Sequence, residues 1–372
     1  MRITRSSVDV FGATSLSTPR SVVEPAIVSR VRNFYSRTRI LVTGGASFIG
    51  SHLVEALLQT GAQVRVADNF ITGKVSNLSG VLEDIELVPG DLRDPQVAAR
   101  SFARRDLVFH LAALHGGRGY IDTHPVACLS NMCLDHAVFT AAARAGVGKV
   151  IHASSACVYP TLLQTDESVR NLLKESDANF EVPGAAFADG EYGWAKLMGE
   201  MQLRAFHKEF GIDAIACRIF TSYGERENES HAVVGLIAKA VARLDPYPIW
   251  GSGAQSRNFT YVGDTVAGLL LSGSTLTGFD VINVGNEHQF TIIELVDIVF
   301  DVIGWRPAAI CRELDKPIGV KSRAADCGKC RSILGWEPTY SLRKGVERTT
   351  RWYESSVPVE RIHDLNSVLF GP

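Results

Sequence analysis

The chain has 372 residues, 46% of them hydrophobic and 21% charged, with 38 basic side chains against 40 acidic ones. That length and composition suit one large α/β domain or two joined lobes, with core enough to fold without disulfide staples. A formal net charge of -2 lacks the basic excess of a nucleic-acid binder, and no uncharged apolar run approaches the roughly 18 residues of a membrane helix, so neither nucleic acid nor membrane is an expected partner.

Residues 1–38 carry six arginines, many serines and two acids, Asp9 and Glu24. Organelle transit peptides share that composition, but amphipathic spacing is poor here, so a native N-terminal extension on a cytoplasmic protein is expected. From Arg39 the pattern changes. Ile40, Leu41 and Val42 form a short apolar run, Thr43-Gly44-Gly45 a turn, and His52 to Leu58 a helical segment. Val64–Ala67, Val108–Leu111, Val150–Ala153 and Ala214–Phe220 repeat as buried strands, separated by helical stretches such as Ala137–Arg144 and Lys196–Phe210. Strands spaced by helices predict an α/β fold, a Rossmann-like doubly wound parallel sheet over residues 39–220. Beyond Tyr223 the regularity weakens through a charged loop (Glu225 to Ser230), a helix to Leu244 and a Gly/Pro-rich stretch to Gly253. Residues 221–372 are read mainly as a smaller α/β substrate-binding lobe, partly interleaved with the sheet. Apolar positions on more than one face of the helices at 137–144 and 196–210 predict a homodimer.

The stretch Thr43-Gly44-Gly45-Ala46-Ser47-Phe48-Ile49-Gly50 falls where a strand ends and a helix begins. Backbone N–H groups and the helix N-terminus can there meet a pyrophosphate. Asp68 ends the next strand, its carboxylate placed for the two ribose hydroxyls of NAD. It would repel a 2′-phosphate, and Asn69, not an arginine, follows it, so NAD is favoured over NADP. Asp91 and Leu92 can flank the adenine, and Leu111 closes the next strand of the same site.

Tyr192 and Lys196 stand at i and i+4 of a predicted helix, so both project from one face. A phenol beside an ammonium can reach the phenolate near neutral pH: an ion pair at about 4 Å and an effective dielectric near 20 is worth roughly 4 kcal/mol. Such a group takes a proton from a sugar hydroxyl while the carbon beneath loses hydride. Ser154-Ser155, at the end of the strand Val150–Ala153, supplies a second hydroxyl.

Together these residues resemble the extended short-chain dehydrogenase/reductase family of NAD-dependent nucleotide-sugar epimerases and dehydratases, from about Ile40 to Tyr353. The segments His115–Tyr120, Ala153–Pro160, Lys174–Asp177 and Gln255–Arg257 are most similar to a branch that inverts centres beside the oxidised carbon. The resemblance implies Tyr192 as acid/base with Lys196 and Ser155 as partners, and a nucleotide-diphosphate sugar as substrate. It assigns substrate contacts to Gly117, Arg118, Ser154, Thr221, Lys239 and Gln255, with Arg257 and Arg323 on the diphosphate. Cys157 falls where that branch keeps a catalytic cysteine, and His231 where it has lysine. A thiol and an imidazole can serve as a base and an acid on opposite faces of a keto-sugar.

Departures are informative. Ser47 replaces the family's middle glycine, which requires a negative φ there, and Thr221 replaces an asparagine. Dehydratases and decarboxylases of the family place acids just after the catalytic hydroxyl, whereas Ala156-Cys157 stands here. Epimerisation at C3, C5 or both is therefore expected, a C4-only epimerase or a non-catalytic NAD-binding scaffold being the alternatives. Cys327-Gly-Lys-Cys330 has the spacing of a metal knuckle, but no second Cys/His pair completes it, so no metal is expected.

Overall fold

The computed structural model describes residues 21–167 and 171–358; the first 20 residues of the expected extension lie outside them. Seven parallel strands form the central sheet, in the order Phe279–Val284, Asp213–Ile219, Lys149–Ser155, Leu107–His110, Arg39–Thr43, Gln63–Asp68, Glu86–Pro89. Helices cover both faces, which is why the first strand reads as an unbroken apolar run: Ile40, Leu41 and Val42 are all fully buried.

Thr43 pairs with Ala67 on one side and with His110 on the other. The chain runs outward in opposite directions from strands Arg39–Thr43 and Leu107–His110, and their carboxyl ends open the crevice where ligands of such sheets bind. The edge strand Phe279–Val284 comes from far beyond residue 220, so the sheet draws on both halves of the chain. Helix Val262–Thr275 packs under it with twelve buried residues.

Before the first strand, helix Pro25–Tyr35 starts with Pro at its first turn, where no N–H is needed, and buries Val28, Val31 and Tyr35. The Tyr35 hydroxyl donates to the Leu270 carbonyl at 2.6 Å. The expected extension therefore contains a packed helix.

The smaller lobe holds a four-stranded sheet in the order Phe290–Thr291, Ser256–Arg257, Ser322–Ala325, Leu172–Leu173, and a pair Ile310–Glu313 with Tyr247–Trp250. Helix Ile292–Ile303 is fixed by a capping box between Thr291 and Glu294 and stops at Gly304 with φ of +70°.

Pro125–Ala145 reaches the length of a membrane span, 21 residues at a mean hydropathy of 1.3. Two helices meet there, Pro125–Leu129 and Asn131–Ala145, and the second carries a fully buried Asp135 against helix Gly190–Phe210. A third of the stretch is buried, on the side that carries Asp135, Val138 and Phe139.

Candidate active site

The glycine loop is shaped by close approach. Gly44 has φ of +68°, and a Cβ there would sit 2.8 Å from the Ala112 nitrogen; one at Gly50 would sit 2.1 Å from the Gly44 carbonyl oxygen. Ser47 has φ of -82°, as a non-glycine residue requires, and it precedes helix Phe48–Thr60. Phe48 and Ile49 thus supply first-turn N–H groups that have no intrahelical acceptor.

An open cleft runs from this loop, lined by Gly44, Ser47, Asp68, Asn69, Asp91, Leu92, Leu111, His115 and Asn131 among others. The Asp68 carboxylate accepts from the Ala46 and Phe70 N–H groups at 2.9 and 2.8 Å. Burial nevertheless raises its pKa, against those two donors. Asp91 pairs with Arg93 and is held below the usual carboxylate range by it. The loop, the ribose-side acid and the lining fit a dinucleotide.

Across the crevice, strand Lys149–Ser155 and helix Gly190–Phe210 bring the hydroxyls together. Tyr192 lies near enough to Ser155 for the serine to act on its pKa, Ser155 Oγ accepts from the Cys157 N–H at 3.1 Å, and Lys196 Nζ donates to the Ala153 carbonyl at 2.8 Å. Gly193 permits this junction: a Cβ there would meet the Cys157 carbonyl oxygen at 2.3 Å. The acidity of Tyr192 departs from expectation. Burial, then the charges of Cys157 and Asp135, push its pKa well above 10, so the residues alone do not yield a phenolate near neutrality. Burial also lowers the Lys196 pKa, opposed by Asp135 and Glu200.

Half-buried Cys157 accepts from Arg323 Nη1 at 3.3 Å. The same guanidinium donates to Gln164 and to Asp189, and Arg118 donates to Asp189 from the other side at 3.0 Å. Asp189 therefore bridges two of the expected diphosphate or substrate ligands. Arg257 donates to the backbone carbonyls of Ser256, Ile318 and Val320, and burial followed by Arg323 brings its pKa down to about 9.

Gly117 abuts the Ser230 carbonyl, which a Cβ would approach to 1.9 Å, and the rings of His115 and His231 lie 6.0 Å apart. His231 thus sits against His115, which lines the cleft. Its side chain does not cap the helix Ala232–Val241 that it precedes. Burial holds the imidazole near 3, His115 adding to the effect.

Several expected substrate ligands are committed elsewhere. Ser154 is buried and its hydroxyl donates to Glu200, itself paired with Arg218, because strand alternation turns Ser154 away from the face that carries Ser155. Gln255 closes its own turn, accepting from Gly253 N–H and donating to the Trp250 carbonyl. Buried Lys239 donates to the Pro248 carbonyl at 3.0 Å; Thr221 is fixed through its backbone alone, its carbonyl accepting from the Thr260 N–H. Cys327 and Cys330 are buried thiols that donate to the Gly285 and Asn283 carbonyls. His110, Asp135 and His152 cluster beneath Lys196 closely enough for a cation. Thr43 and Asp135 already bind the two nitrogens of His110, and the neighbouring ammonium opposes a further positive charge.

The chain matches the model of the NAD dependent epimerase/dehydratase family over residues 40–285 and belongs to that family. It is an NAD-dependent enzyme of the nucleotide-sugar epimerase and dehydratase group. GDP-mannose 3,5-epimerase 1 of Oryza sativa subsp. indica is 30% identical over 343 residues, covering 90% of this chain and 86% of the relative. UDP-glucuronic acid decarboxylase 6 of Arabidopsis thaliana is 32% identical over 332 residues, covering 87% and 91%. The UDP-glucose 4-epimerase of Thermotoga maritima, solved with UDP-glucose, superposes with a TM-score of 0.76 at 26% identity, over 86% of this chain and 99% of that one.

Proposed function

We propose that the protein is an epimerase of a nucleotide-diphosphate hexose, of the GDP-mannose type, that oxidises C4 transiently and inverts C3, C5 or both. The observation that carries this reading is a sulfur, not a carboxylate, placed two residues after Ser155 and near enough to Tyr192 for its charge to act on the phenol. Once C4 is a ketone, the hydrogens on C3 and C5 are acidic, and inversion requires removal on one face and return on the other. Bound NAD supplies the acceptor and donor for the C4 hydride. Tyr192 would take the proton of the 4-hydroxyl as the phenolate that the positive charge of bound NAD and of Lys196 favours against burial, and Ser155 would orient it. Cys157 removes the carbon-bound proton and His231 serves the opposite face.

Gly44, Ser47, Phe48, Ile49, Gly50, Asp68, Asn69, Asp91, Leu92 and Leu111 hold the cofactor in this reading. Gly117, Arg118, Arg257 and Arg323 surround the substrate, the arginines turning to a diphosphate in place of Asp189 and the carbonyls they now bind. Residues 39–220 carry mainly the cofactor and 221–372 mainly the substrate. A homodimer through the outer faces of helices Asn131–Ala145 and Gly190–Phe210 would cover a groove lined by Ala143, Ala205, Phe206 and Phe210.

The test is incubation of the NAD-loaded enzyme with GDP-mannose and a panel of UDP- and dTDP-sugars in D2O, read by NMR. Native enzyme should place deuterium at C3 or C5, and Cys157→Ser should keep hydride transfer while losing that exchange. Inversion without deuterium at any carbon would instead establish the C4-only epimerase, the activity named for the Thermotoga maritima neighbour.

A further inference from the structure

Glu227 lies in the loop before helix Ala232–Val241, is 5% exposed and has no role in the reading above. Its Oε1 is 3.6 Å from His231 Nδ1, and Oε2 finds no hydrogen-bond partner among the described residues. The cations near this loop are engaged elsewhere, Arg226 with Glu55 and Arg348 with Glu225. Other groups around Glu227 are the backbone of Gly224, the phenol of Tyr223, which donates to the Leu342 carbonyl, and, beyond His231, His115. None offers a compensating positive charge.

A carboxylate buried without a cation is costly, so such a group keeps its proton. Burial accordingly pushes Glu227 well above the usual carboxylate range. The neighbouring imidazole is neutral for the same reason. A neutral histidine makes a poor lone acid, because giving up its N–H leaves an anion. With Nδ1 turned to a protonated carboxyl, the opposite nitrogen of the ring, Nε2, is left for the cleft.

We infer that Glu227 is the proton source behind His231, a positioning residue that lets the half-buried imidazole act as an acid without becoming a cation. This inference rests on the two-base reading of Cys157 and His231. In the delivery step the Nε2–H bond breaks as a C–H bond forms on the sugar. Nδ1 takes the Glu227 proton in the same movement, leaving neutral His231 in its other tautomer and Glu227 as carboxylate. The proton lost by the sugar sits on Cys157, so charge is conserved and no oxidant is needed. The 3.6 Å separation must shorten when substrate closes the site, as catalytic hydrogen bonds commonly do.

The experiment uses the full-length, NAD-loaded protein. A native-minus-Glu227→Gln infrared difference spectrum at neutral pH should show the carbonyl stretch of an un-ionised carboxylic acid, and its absence overturns the inference. Imidazole 15N spectra of the native protein, assigned by His231→Gln, should show Nε2 protonated and Nδ1 bare; an imidazolium overturns it even if Glu227→Gln folds poorly. With GDP-mannose in D2O, Glu227→Gln should still exchange the carbon hydrogen through Cys157, while inversion falls about 100-fold. Inversion at the native rate in that variant refutes the relay alone. A native enzyme that inverts sugar without solvent exchange refutes the two-base reading, and the relay with it.

Discussion

Arg323 places Nη1 3.3 Å from the sulfur of Cys157 while Gln164 and Asp189 take its other nitrogens. Every edge of the guanidinium is thus engaged by the site itself. A diphosphate must displace Asp189 to bind Arg323, whereas the contact with Cys157 can persist on another edge of the planar group. A guanidinium donor held against a sulfur bears on the reactivity of that sulfur.

Arg323→Met should therefore slow labelling of Cys157 by iodoacetamide at neutral pH by roughly tenfold. The rate is read on the Cys157 peptide by mass spectrometry, since Cys133 and Cys311 are also exposed. An unchanged rate would show that the contact leaves the sulfur's reactivity alone.

At the other end of the cleft, Asp68→Ala removes both the acceptor for ribose hydroxyls and the charge that opposes a 2′-phosphate. NAD affinity should fall by about tenfold or more while NADP affinity rises or holds. Dissociation constants for the two cofactors decide the matter, and tighter binding of NADP by the native protein would refute the assignment.

The central strands were legible because a parallel sheet covered on both faces demands continuous apolar runs, as at Ile40–Val42 and Val64–Ala67. Strand Phe279–Val284 escaped notice because Asp280 and Asn283 break that pattern: Asp280 pairs with Lys329, and Asn283 receives the Tyr159 hydroxyl. Helix Pro25–Tyr35 was hidden by its arginines, although Val28, Val31 and Tyr35 keep helical spacing. At the site, Tyr192 and Lys196 announced themselves by spacing. Ser154, expected to touch substrate, donates to Glu200 instead, and alternation along the strand already set it opposite to Ser155. Burial, which leaves no local sequence signal, acts on the Tyr192 pKa in the direction opposite to the expected ion pair. Asp189, Gln164 and Glu227 belong to no motif and meet the site only through the fold.

Burial of neutral histidines sets the acid stability. His52, whose Nε2 meets the Glu225 carbonyl at 2.9 Å, is lowered from 6.5 to about 3 by burial first and Arg226 second. Between those values the unfolded chain binds a proton that the folded chain excludes. Stability from this group is complete above pH 6.5 and is lost as pH falls toward 3. The loss approaches roughly 5 kcal/mol at the acid end. His52→Gln should flatten the fall of unfolding free energy between pH 6.5 and 4 by close to one proton, measured by urea denaturation across that range. An unaltered slope would assign the acid sensitivity to other groups, His115 and His231 among them.

The junction at Gly193 gives the sharpest steric test. Gly193→Ala would place a methyl group 2.3 Å from the Cys157 carbonyl oxygen and 3.2 Å from the Ala188 Cβ. The first neighbour is backbone and cannot rotate away, so strand end and helix must part. Overpacking of this kind costs about 1–3 kcal/mol, and the movement is applied directly to the segment that holds Ser155, Cys157 and Tyr192. We expect a clear fall in Tm together with loss of turnover even where the variant remains folded. Gly148→Ala is the control: its Cβ would meet only the Asp106 carbonyl at 3.6 Å, ordinary contact distance. That variant should melt within a degree or two of the native protein and keep its activity. Equal melting temperatures for the two variants would show that the Cys157 junction yields without cost, and the positioning argued for it would fail.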